Sequence, residues 1–476
     1  MRRRRSIAVL FFLVLPLITG MLLVSCGRKQ VNGLIIVSET DAKAGLLDLV
    51  TGEGWRYLTH SRLVAIDPEK AANSPEVIST GFYSACSPTV SWDGRHMVFA
   101  AQVKRDDPWA IYEMDLCSMK SHLVIQTKQN CTDPAYLPEG RIIFSKTSSK
   151  DSTGRVHEIF TCLPDGSDLL QLTFHPHADF ALTLLPDGRV LAISRQLSPS
   201  LGKQMLYVLR PNGTKGDLFY EASPGTELVS RAWEMASGNV FFIERSLPDT
   251  TGSIICISQN RPLHSRVNLS EGIKGDFFGI FPRASGSMLA LYRTSANERY
   301  GLYEFDTHGR KLGRALLTDP AYNLAEVVVA EKVARPKKLP SELNMGVKSG
   351  LMMCQDVNLL DPKWMSDPNR KKISRIEVLG LHKSLGTFDV QEDGSFYIKI
   401  MADIPFRIQG LDANGKVVVG PCSWLWMRPA ERRGCIGCHE DPELVPDNRL
   451  PMAVKKAPVI IPSQIMNVKE AEIESD

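Results

Sequence analysis

Ser87-Pro88-Thr89-Val90-Ser91-Trp92-Asp93-Gly94-Arg95-His96-Met97-Val98-Phe99-Ala100 is the stretch that decides the fold. Its Asp-Gly pair stands before an apolar run, and glycine supplies the positive φ that a tight hairpin turn needs. The same combination of a turn glycine and a following apolar run recurs at Gly33, Gly140, Gly188, Gly238 and Gly286. From Gly94 onwards the glycines are 46, 48, 50 and 48 residues apart. The chain therefore contains a structural repeat.

A second apolar run follows each turn within the repeat. It occurs at Ile111–Asp115, Ile159–Thr161, Leu206–Leu209 and Leu302–Asp306, and its alternating pattern predicts the third strand of a four-stranded sheet. A period near 48 with four strands indicates a β-propeller blade. Six turn glycines thus predict an all-β protein whose six-bladed propeller fills residues 26–335, with the repeats beginning near residue 30.

The phrase Pro88-Thr89-Val90-Ser91-Trp92-Asp93-Gly94 resembles the TolB-type propeller repeat. This resemblance implies a fold but not a function, because propellers serve as enzymes, docking platforms and scaffolds. We find no convergent set of acidic or histidine residues in the repeats. Four histidines fall in or near turns and are interpreted as solvated loop residues rather than metal ligands: His157, His175, His177 and His308.

A basic, proline-bearing linker over residues 336–345 separates the propeller from a predicted antiparallel, sandwich-like β domain over residues 346–430. Ile376–Gly380 is its first clear strand. One hairpin is predicted between Thr387–Val390 and Ser395–Ile400, and another between Phe406–Leu411 and Lys416–Val419. The final predicted strand is Ser423–Met427.

The last segment, residues 431–476, contains Cys435-Ile436-Gly437-Cys438-His439. C-x-x-C-H is the attachment signature of a c-type haem, because two thiols at this spacing can form thioethers to the two vinyl groups of one porphyrin. The adjacent His439 is then the proximal ligand of the iron. The alternatives are a redox C-x-x-C pair or half of a zinc site, which usually has a second Cys or His pair.

The other end of the chain has the pattern of an export signal. Arg2–Arg5 are followed by an apolar run that ends at Leu23-Val24-Ser25-Cys26. We expect residues 1–25 to be a lipoprotein signal peptide and Cys26 to be lipidated, the alternative being an uncleaved membrane anchor. Gly27 rather than Asp after the lipidated cysteine favours the periplasmic side of the outer membrane over the inner membrane.

Charge and cysteine content agree with an exported globular protein. The chain has 56 basic and 53 acidic residues, and loss of the four arginines in the predicted signal peptide changes its net charge from +3 to −1. This balance does not indicate nucleic-acid binding. Of ten cysteines, seven remain after lipid and haem are assigned. Cys86 and Cys131, about one repeat apart, are the first candidates for a disulfide, and the alternative is that both are small buried hydrophobic residues.

Four stretches of the second part resemble the hydrazine synthase alpha subunit family in its middle domain. They are Asp393–Phe396, Leu411–Gly415, Ser423–Pro429 and Gly434–Asp441. The family also has a six-bladed propeller before this domain, so the resemblance covers nearly all of the mature chain. It implies one covalent haem c held between the propeller and the middle domain.

The resemblance does not imply hydrazine synthesis. The family enzyme has a second haem domain, whereas 37 residues without a further C-x-x-C-H follow His439 here. The enzyme is also thought to use a tyrosine shortly after the motif as its iron ligand. No tyrosine follows Cys438 in this chain, and the fourth position after His439 is Glu443. We therefore expect His439 to keep the proximal role.

Several residues near the motif are candidates for the rest of a haem site. The sixth iron ligand is predicted among Met427, Met452 and His382, and a five-coordinate iron is the alternative. Trp424 and Trp426 either pack on the porphyrin or are core aromatic residues. Arg432 and Arg433 either bind the haem propionates or form a solvated turn. Glu440 and Asp441 either orient the imidazole or are exposed.

These features favour a lipid-anchored, mono-haem c-type cytochrome that passes electrons to a redox partner protein in the cell envelope, with the propeller as its docking platform. A haem enzyme acting on a small nitrogen or oxygen species is the second hypothesis. A propeller scaffold without redox chemistry is the third.

Overall fold

The described residues form a six-bladed propeller followed by a β-sandwich. A computed structural model describes residues 31–41, 60–68, 75–151, 155–247, 249–283, 285–360, 371–437, 443 and 449–462. The predicted all-β class is confirmed, and the regular helix of this part of the chain is one 3₁₀ turn, Met452–Lys455. No helix among these residues has the length and apolar character needed to cross a membrane.

Six antiparallel blades are arranged around the propeller axis. Each has four strands, except that the inner strand of blade 5 is divided, and one parallel pair, His157 with Ala178, joins blades 3 and 4. From the inside outwards, blade 1 consists of β25 (Tyr322–Ala330), β1 (Leu34–Asp41), β2 (Ser61–Ile66) and β3 (Glu76–Val77). Blade 2 consists of β4 (Ser84–Val90), β5 (His96–Gln102), β6 (Ala110–Asp115) and β7 (Lys120–Ile125). Blade 3 consists of β8 (Cys131–Tyr136), β9 (Ile142–Thr147), β10 (His157–Cys162) and β11 (Leu170–Gln171).

The other three blades follow in chain order. Blade 4 consists of β12 (His177–Leu184), β13 (Val190–Gln196), β14 (Gln204–Leu209) and β15 (Asp217–Glu221). Blade 5 has a divided inner strand, β16 (Thr226–Leu228) and β17 (Trp233–Glu234), then β18 (Asn239–Ser246), β19 (Gly252–Ser258) and β20 (Val267–Asn268). Blade 6 consists of β21 (Asp276–Pro282), β22 (Met288–Arg293), β23 (Gly301–Asp306) and β24 (Lys311–Leu317).

The spacing of the turn glycines predicts the number of blades correctly. All six predicted turn glycines have positive φ, between 70° and 93°. The last propeller strand, β25, pairs antiparallel with β1, so residues from both ends of the repeat region share blade 1. Gly33 therefore precedes a strand, β1, that pairs with a strand almost 300 residues later in the chain.

The second domain is a sandwich of two four-stranded sheets. One sheet has the order β32 (Arg432–Cys435), β26 (Ser349–Cys354), β29 (Phe396–Met401) and β33 (Val459–Ile460). The other has the order β28 (Ser384–Asp389), β27 (Arg375–Leu379), β30 (Arg407–Leu411) and β31 (Val417–Val419). Apolar side chains from both sheets fill the space between them. The sandwich is as predicted, but the first sheet is mixed, because β32 and β33 each pair parallel with their neighbours.

One of the two predicted hairpins is wrong. β30 pairs with β31 as expected, whereas β28 pairs with β27 in one sheet and β29 pairs with β26 in the other. The turn between β28 and β29 is real, since Gly394 N donates to Gln391 O at 2.8 Å. Phe388 and Phe396 meet across the sandwich, with ring centroids 5.7 Å apart. A turn signal is local, but burial decides which strands pair.

The predicted final strand, Ser423–Met427, is also wrong. This segment has one isolated bridge, between Phe406 and Leu425, and is otherwise irregular. Its two indole N–H groups are directed to the propeller instead: Trp424 Nε1 donates to Ser198 O at 2.6 Å and Trp426 Nε1 to Gly213 O at 3.2 Å. The alternation of large residues that suggested a strand thus reflects contact with a neighbouring domain.

The predicted disulfide between Cys86 and Cys131 is not formed. Both side chains are thiols, and both are buried in an apolar core shared by the inner and middle strands of several blades. Burial raises the pKa of the Cys131 thiol to about 11, which keeps it protonated. The two cysteines occupy the positions of small hydrophobic residues.

Candidate functional site

The first cysteine of the C-x-x-C-H motif is held by the sandwich. β32 ends at Cys435, which lies beside Cys354 in the parallel register with β26. Gln355 N donates to Cys435 O at 2.9 Å, and Asp356 N donates to Ile436 O at 3.1 Å. The backbone at the start of the motif is therefore fixed by a sheet edge and the loop that follows it. Cys438 and His439, like Glu440, Asp441 and the predicted lipidation site Cys26, lie outside the described residues.

Packing explains why glycine occupies Gly437, one of the two variable positions of the motif. A Cβ atom at this residue would lie 2.2 Å from the backbone oxygen of Leu359. A side chain there would force the motif away from the loop that holds Cys435. The sequence pattern C-x-x-C-H carries no information about this constraint, which comes from packing.

A cavity of about 560 Å³ lies between the propeller and the residues that follow the motif. Its size is within the range of small-molecule and cofactor sites. Blades 4 and 5, the linker and Glu443 line it. The lining residues are Asp187, Arg189, Val208, Arg210, Lys215, Asp217, Leu218, Phe219, Gln259, Pro262, Leu263, Leu339 and Glu443.

Glu443, four residues after His439, is part of the cavity lining. It accepts hydrogen bonds from Leu263 N at 2.8 Å and Arg261 Nε at 3.3 Å, which attaches the chain to blade 5. The cavity is therefore close to the motif in sequence, through Glu443.

The lining of the cavity combines apolar and cationic side chains. Val208, Leu218, Phe219, Pro262, Leu263 and Leu339 form an apolar wall. Arg189, Arg210 and Lys215 supply cationic groups, each of which has an acidic partner: Asp187 at 2.7 Å for Arg189, and Glu342 at 3.2 and 3.3 Å for Arg210 and Lys215. Arg210 Nε has no hydrogen-bond partner in the described part of the chain. An apolar ring with two carboxylates fits such a site.

Arg432 and Arg433, the candidates for binding haem propionates, are not among the residues that line the cavity. Arg432 is exposed, whereas Arg433 is ion-paired with buried Glu431, with Nη2 3.1 Å from Oε1. The same carboxylate accepts from Lys215 N at 2.8 Å and Arg428 N at 2.8 Å. Arg433 thus belongs to the contact between the domains. The cationic groups at the cavity come from blade 4, and only the repeat unit around Arg189 hinted at their position.

Trp424 and Trp426 lie in the contact between the domains. Trp426 is fully buried in the apolar core between blades 3 and 4, against the rings of His175 and Tyr207. Arg407 Cζ lies 4.8 Å from the ring centroid of Trp424. The described surroundings of both indoles are protein groups, and their packing on a porphyrin stays a prediction.

The three candidates for a sixth ligand lie in different places. Met427 is fully buried in the sandwich core, Met452 is partly exposed on the 3₁₀ turn, and His382 is exposed between β27 and β28. Because His439 lies outside the described residues, the ligand role of each one stays a prediction.

Three of the four propeller histidines are not solvated, contrary to the prediction. His157, His175 and His177 are each 1% exposed, and only His308 is exposed as predicted. Burial, reinforced by the neighbouring charge of His175, lowers the pKa of His177 well below its usual value. His175, His177 and Asp179 form a convergent set at the junction of blades 3 and 4, which the sequence analysis missed. Their H-x-H-x-D spacing was the available signal.

Glu234, near the cavity residues Asp187 and Arg189, makes the stability of the protein depend on pH. This residue of β17 has an Oε2 atom without a hydrogen-bond partner among the described residues. Burial and the charge of Asp187 raise the pKa of Glu234 from 4.5 to about 7, although the charge of Arg189 acts in the opposite direction. Its contribution to stability is therefore fully present below pH 4.5 and is lost as the pH rises through about 7.

We expect Glu234→Gln to stabilise the protein above pH 7 and to have little effect near pH 4.5. The expected gain is about 1 kcal/mol, because solvent screening at this half-buried carboxyl reduces the effect of the pKa shift. Urea unfolding at both pH values measures it. Glu139→Gln, at an exposed turn, is the matched control and should show no pH-dependent difference. An equal response of the two variants would contradict the prediction.

Comparison with known proteins agrees with this architecture. Residues 355–440 match the family model of the hydrazine synthase alpha subunit middle domain. Hydrazine synthase subunit alpha of Kuenenia stuttgartiensis is 21% identical over 514 aligned positions, which cover 80% of this chain and 62% of that protein. The chain thus spans somewhat less than two thirds of the length of this relative.

A solved structure gives the same result for the fold. Hydrazine synthase of Kuenenia stuttgartiensis superimposes with a TM-score of 0.77 at 17% identity, covering 89% of this chain and 71% of that one. TolB of Acinetobacter baumannii gives a TM-score of 0.47 at 15% identity, covering 63% and 67%. Residues 355–440 thus resemble the hydrazine synthase alpha subunit middle domain, and the chain shares the fold of the solved hydrazine synthase structure.

Proposed function

We propose that this protein is an exported mono-haem c-type cytochrome that transfers electrons in the cell envelope. Cys435 and Cys438 would attach the haem, and His439 would be its proximal ligand. The observation that carries the proposal is the cavity of about 560 Å³, apolar and cationic, whose lining includes Glu443, four residues after His439. The activity in the relative's name is not part of the proposal.

The residues of the chain have distinct tasks in this proposal. The apolar wall from Val208 to Leu339 would exclude water from the ring, and Arg189, Arg210 and Lys215 would bind its carboxylates. A bound haem would supply one-electron chemistry at its iron. Low dielectric and nearby charges would tune the potential of such a haem, and the acidic partners Asp187 and Glu342 would limit how far the cations raise that potential.

The propeller would dock the redox partner, another c-type cytochrome or an oxidoreductase. Its contribution to the cavity supports this role, because blades 4 and 5 form most of the wall. A partner that binds these blades would come close to the haem.

A lipid on Cys26 would attach the protein to the membrane, with the periplasmic side of the outer membrane favoured. Labelled palmitate should be incorporated into the wild-type protein and not into Cys26→Ser. Equal labelling of the two proteins would exclude this anchor.

Optical spectroscopy tests the central proposal. Protein produced with a cytochrome c maturation system should show a Soret band and a low-spin spectrum, and it should be reduced and reoxidised reversibly. The absence of a Soret band would reject haem binding and leave a propeller scaffold. A high-spin spectrum that responds to nitric oxide or peroxide would replace electron transfer with a haem enzyme acting on a small nitrogen or oxygen species.

A further inference from the structure

The basic linker between the two domains lies across one end of the propeller. We call this end the turn face, because it carries the six turn glycines that connect inner strands to second strands. The linker backbone is bonded to the turns of two blades. Val333 N donates to Trp92 O at 3.0 Å in blade 2, and Lys337 N donates to Pro186 O at 3.0 Å in blade 4. The linker is therefore fixed on the turn face.

Four side chains of this segment form a cationic strip, which we call the linker strip: Lys332, Arg335, Lys337 and Lys338. All four are exposed, and no acidic residue occurs within residues 332–338. Arg210 and Lys215 of blade 4 both pair with Glu342, whereas none of the strip cations has an ion-pair partner in the described part of the chain. The strip therefore presents uncompensated positive charge.

The position of the predicted lipid brings the linker strip close to a membrane. The described chain begins at Val31 on the turn face, since Gly33 N donates to Ala330 O at 2.7 Å, and Ala330 is two residues before Lys332. Val31 is five positions after Cys26. An extended chain covers at most about 3.6 Å per residue, so a lipid on Cys26 would hold this part of the turn face within about 18 Å of the bilayer.

A solvated charge run is the competing interpretation of the linker strip. Its fixed backbone argues against this, because the hydrogen bonds to blades 2 and 4 hold the cations in place on one face. Val333, between the cations, is 40% exposed. Cations beside an exposed apolar side chain are typical of segments that bind bilayer surfaces. An acidic protein would also suit the charge, but the short distance to Cys26 favours lipid.

We propose that the linker strip binds the anionic headgroups of the membrane that holds the Cys26 lipid. The turn face then points towards the bilayer, and the opposite end of the propeller points away from it. This orientation rests on the proposed lipid on Cys26, whereas headgroup binding by the strip does not require that lipid. A polybasic segment beside a lipid chain is a combination that anchors proteins stably.

Vesicle binding of the mature chain without its lipid tests the strip. The protein carries Cys26→Ser and is exported behind a cleavable signal peptide that is not of the lipoprotein type. It should sediment with vesicles of phosphatidylglycerol and phosphatidylcholine in equal parts, and much less with phosphatidylcholine alone. Arg335→Gln/Lys338→Gln in this protein should lower the partition coefficient about 30-fold, because each cation near an anionic surface strengthens binding about fivefold.

The matched control removes the same charge from the opposite end of the propeller. Lys104 and Arg105 are exposed in the loop between β5 and β6, away from the turn face. Lys104→Gln/Arg105→Gln should leave vesicle binding unchanged. Equal binding to both kinds of vesicle would overturn the proposal, and so would an equal effect of the two double variants.

Salt provides a measurement that needs no substitution in the strip. Binding of the Cys26→Ser protein should weaken as ionic strength rises, because salt screens exposed charges. Binding that salt does not change would reject the linker strip as its cause. Palmitate labelling of the wild-type protein reports the anchor separately. Labelling without vesicle binding would overturn the inference and keep the anchor, whereas vesicle binding without labelling would support the strip and reject the anchor.

Discussion

Replacing both Cys435 and Cys438 with serine should abolish covalent haem binding. Thioether bonds need thiols, and serine cannot form them. The wild-type protein should retain its haem on a denaturing gel, and the double variant should lose all of it. Haem staining of the gel, read beside an immunoblot for protein amount, measures the effect.

Cys354→Ala is the matched control, because Cys354 lies directly beside Cys435 in the neighbouring strand. It is buried in the sandwich core, so its loss tests packing without removing an attachment thiol. This variant should keep its haem. Retention of gel-stable haem in the double serine variant, or its loss in Cys354→Ala, would show that the motif is not the attachment point.

The propeller was predictable because its signal is local and repeated. Each turn glycine has the positive φ that its sequence context requires, and six such turns give six blades. The closure through β25 and β1 has no local signature, since its strands lie at opposite ends of the repeat region. The prediction that β28 pairs with β29 was wrong for a related reason. The turn between them connects two sheets rather than two paired strands.

The candidate site was predictable only where chemistry depends on sequence spacing. C-x-x-C-H predicts covalent haem attachment whatever fold surrounds it, and this attachment stays a prediction. Arg189, Arg210 and Lys215 meet at the cavity because blade 4 folds back on itself, and nothing in their spacing indicates that they meet. The error on His175 and His177 has the same origin. Residues beside a turn are usually solvated, but these are covered by Trp426, which lies 249 positions beyond His177.

Trp426 is the residue through which the second domain enters the propeller. Its indole fills the core between blades 3 and 4 together with Leu172, Val190 and Ala192. Its Nε1 donates to Gly213 O, and Arg428 Nε donates to the neighbouring Asn212 O at 3.3 Å. A fully buried tryptophan of one domain in the core of another couples their unfolding, since separating the domains would expose the indole and open a cavity.

We expect Trp426→Ala to destabilise the protein by about 3–5 kcal/mol, because it leaves a large cavity in a closely packed core. Trp426→Phe should cost less, because it keeps most of the apolar volume and loses chiefly a hydrogen bond worth about 1 kcal/mol. Differential scanning calorimetry should show the sandwich and the propeller unfolding at separate temperatures in Trp426→Ala. Trp233→Ala, which removes an indole packed within the propeller against Phe281, should lower the propeller transition without separating the two. If both alanine variants unfold in the same way, Trp426 fills space in the core but does not couple the domains.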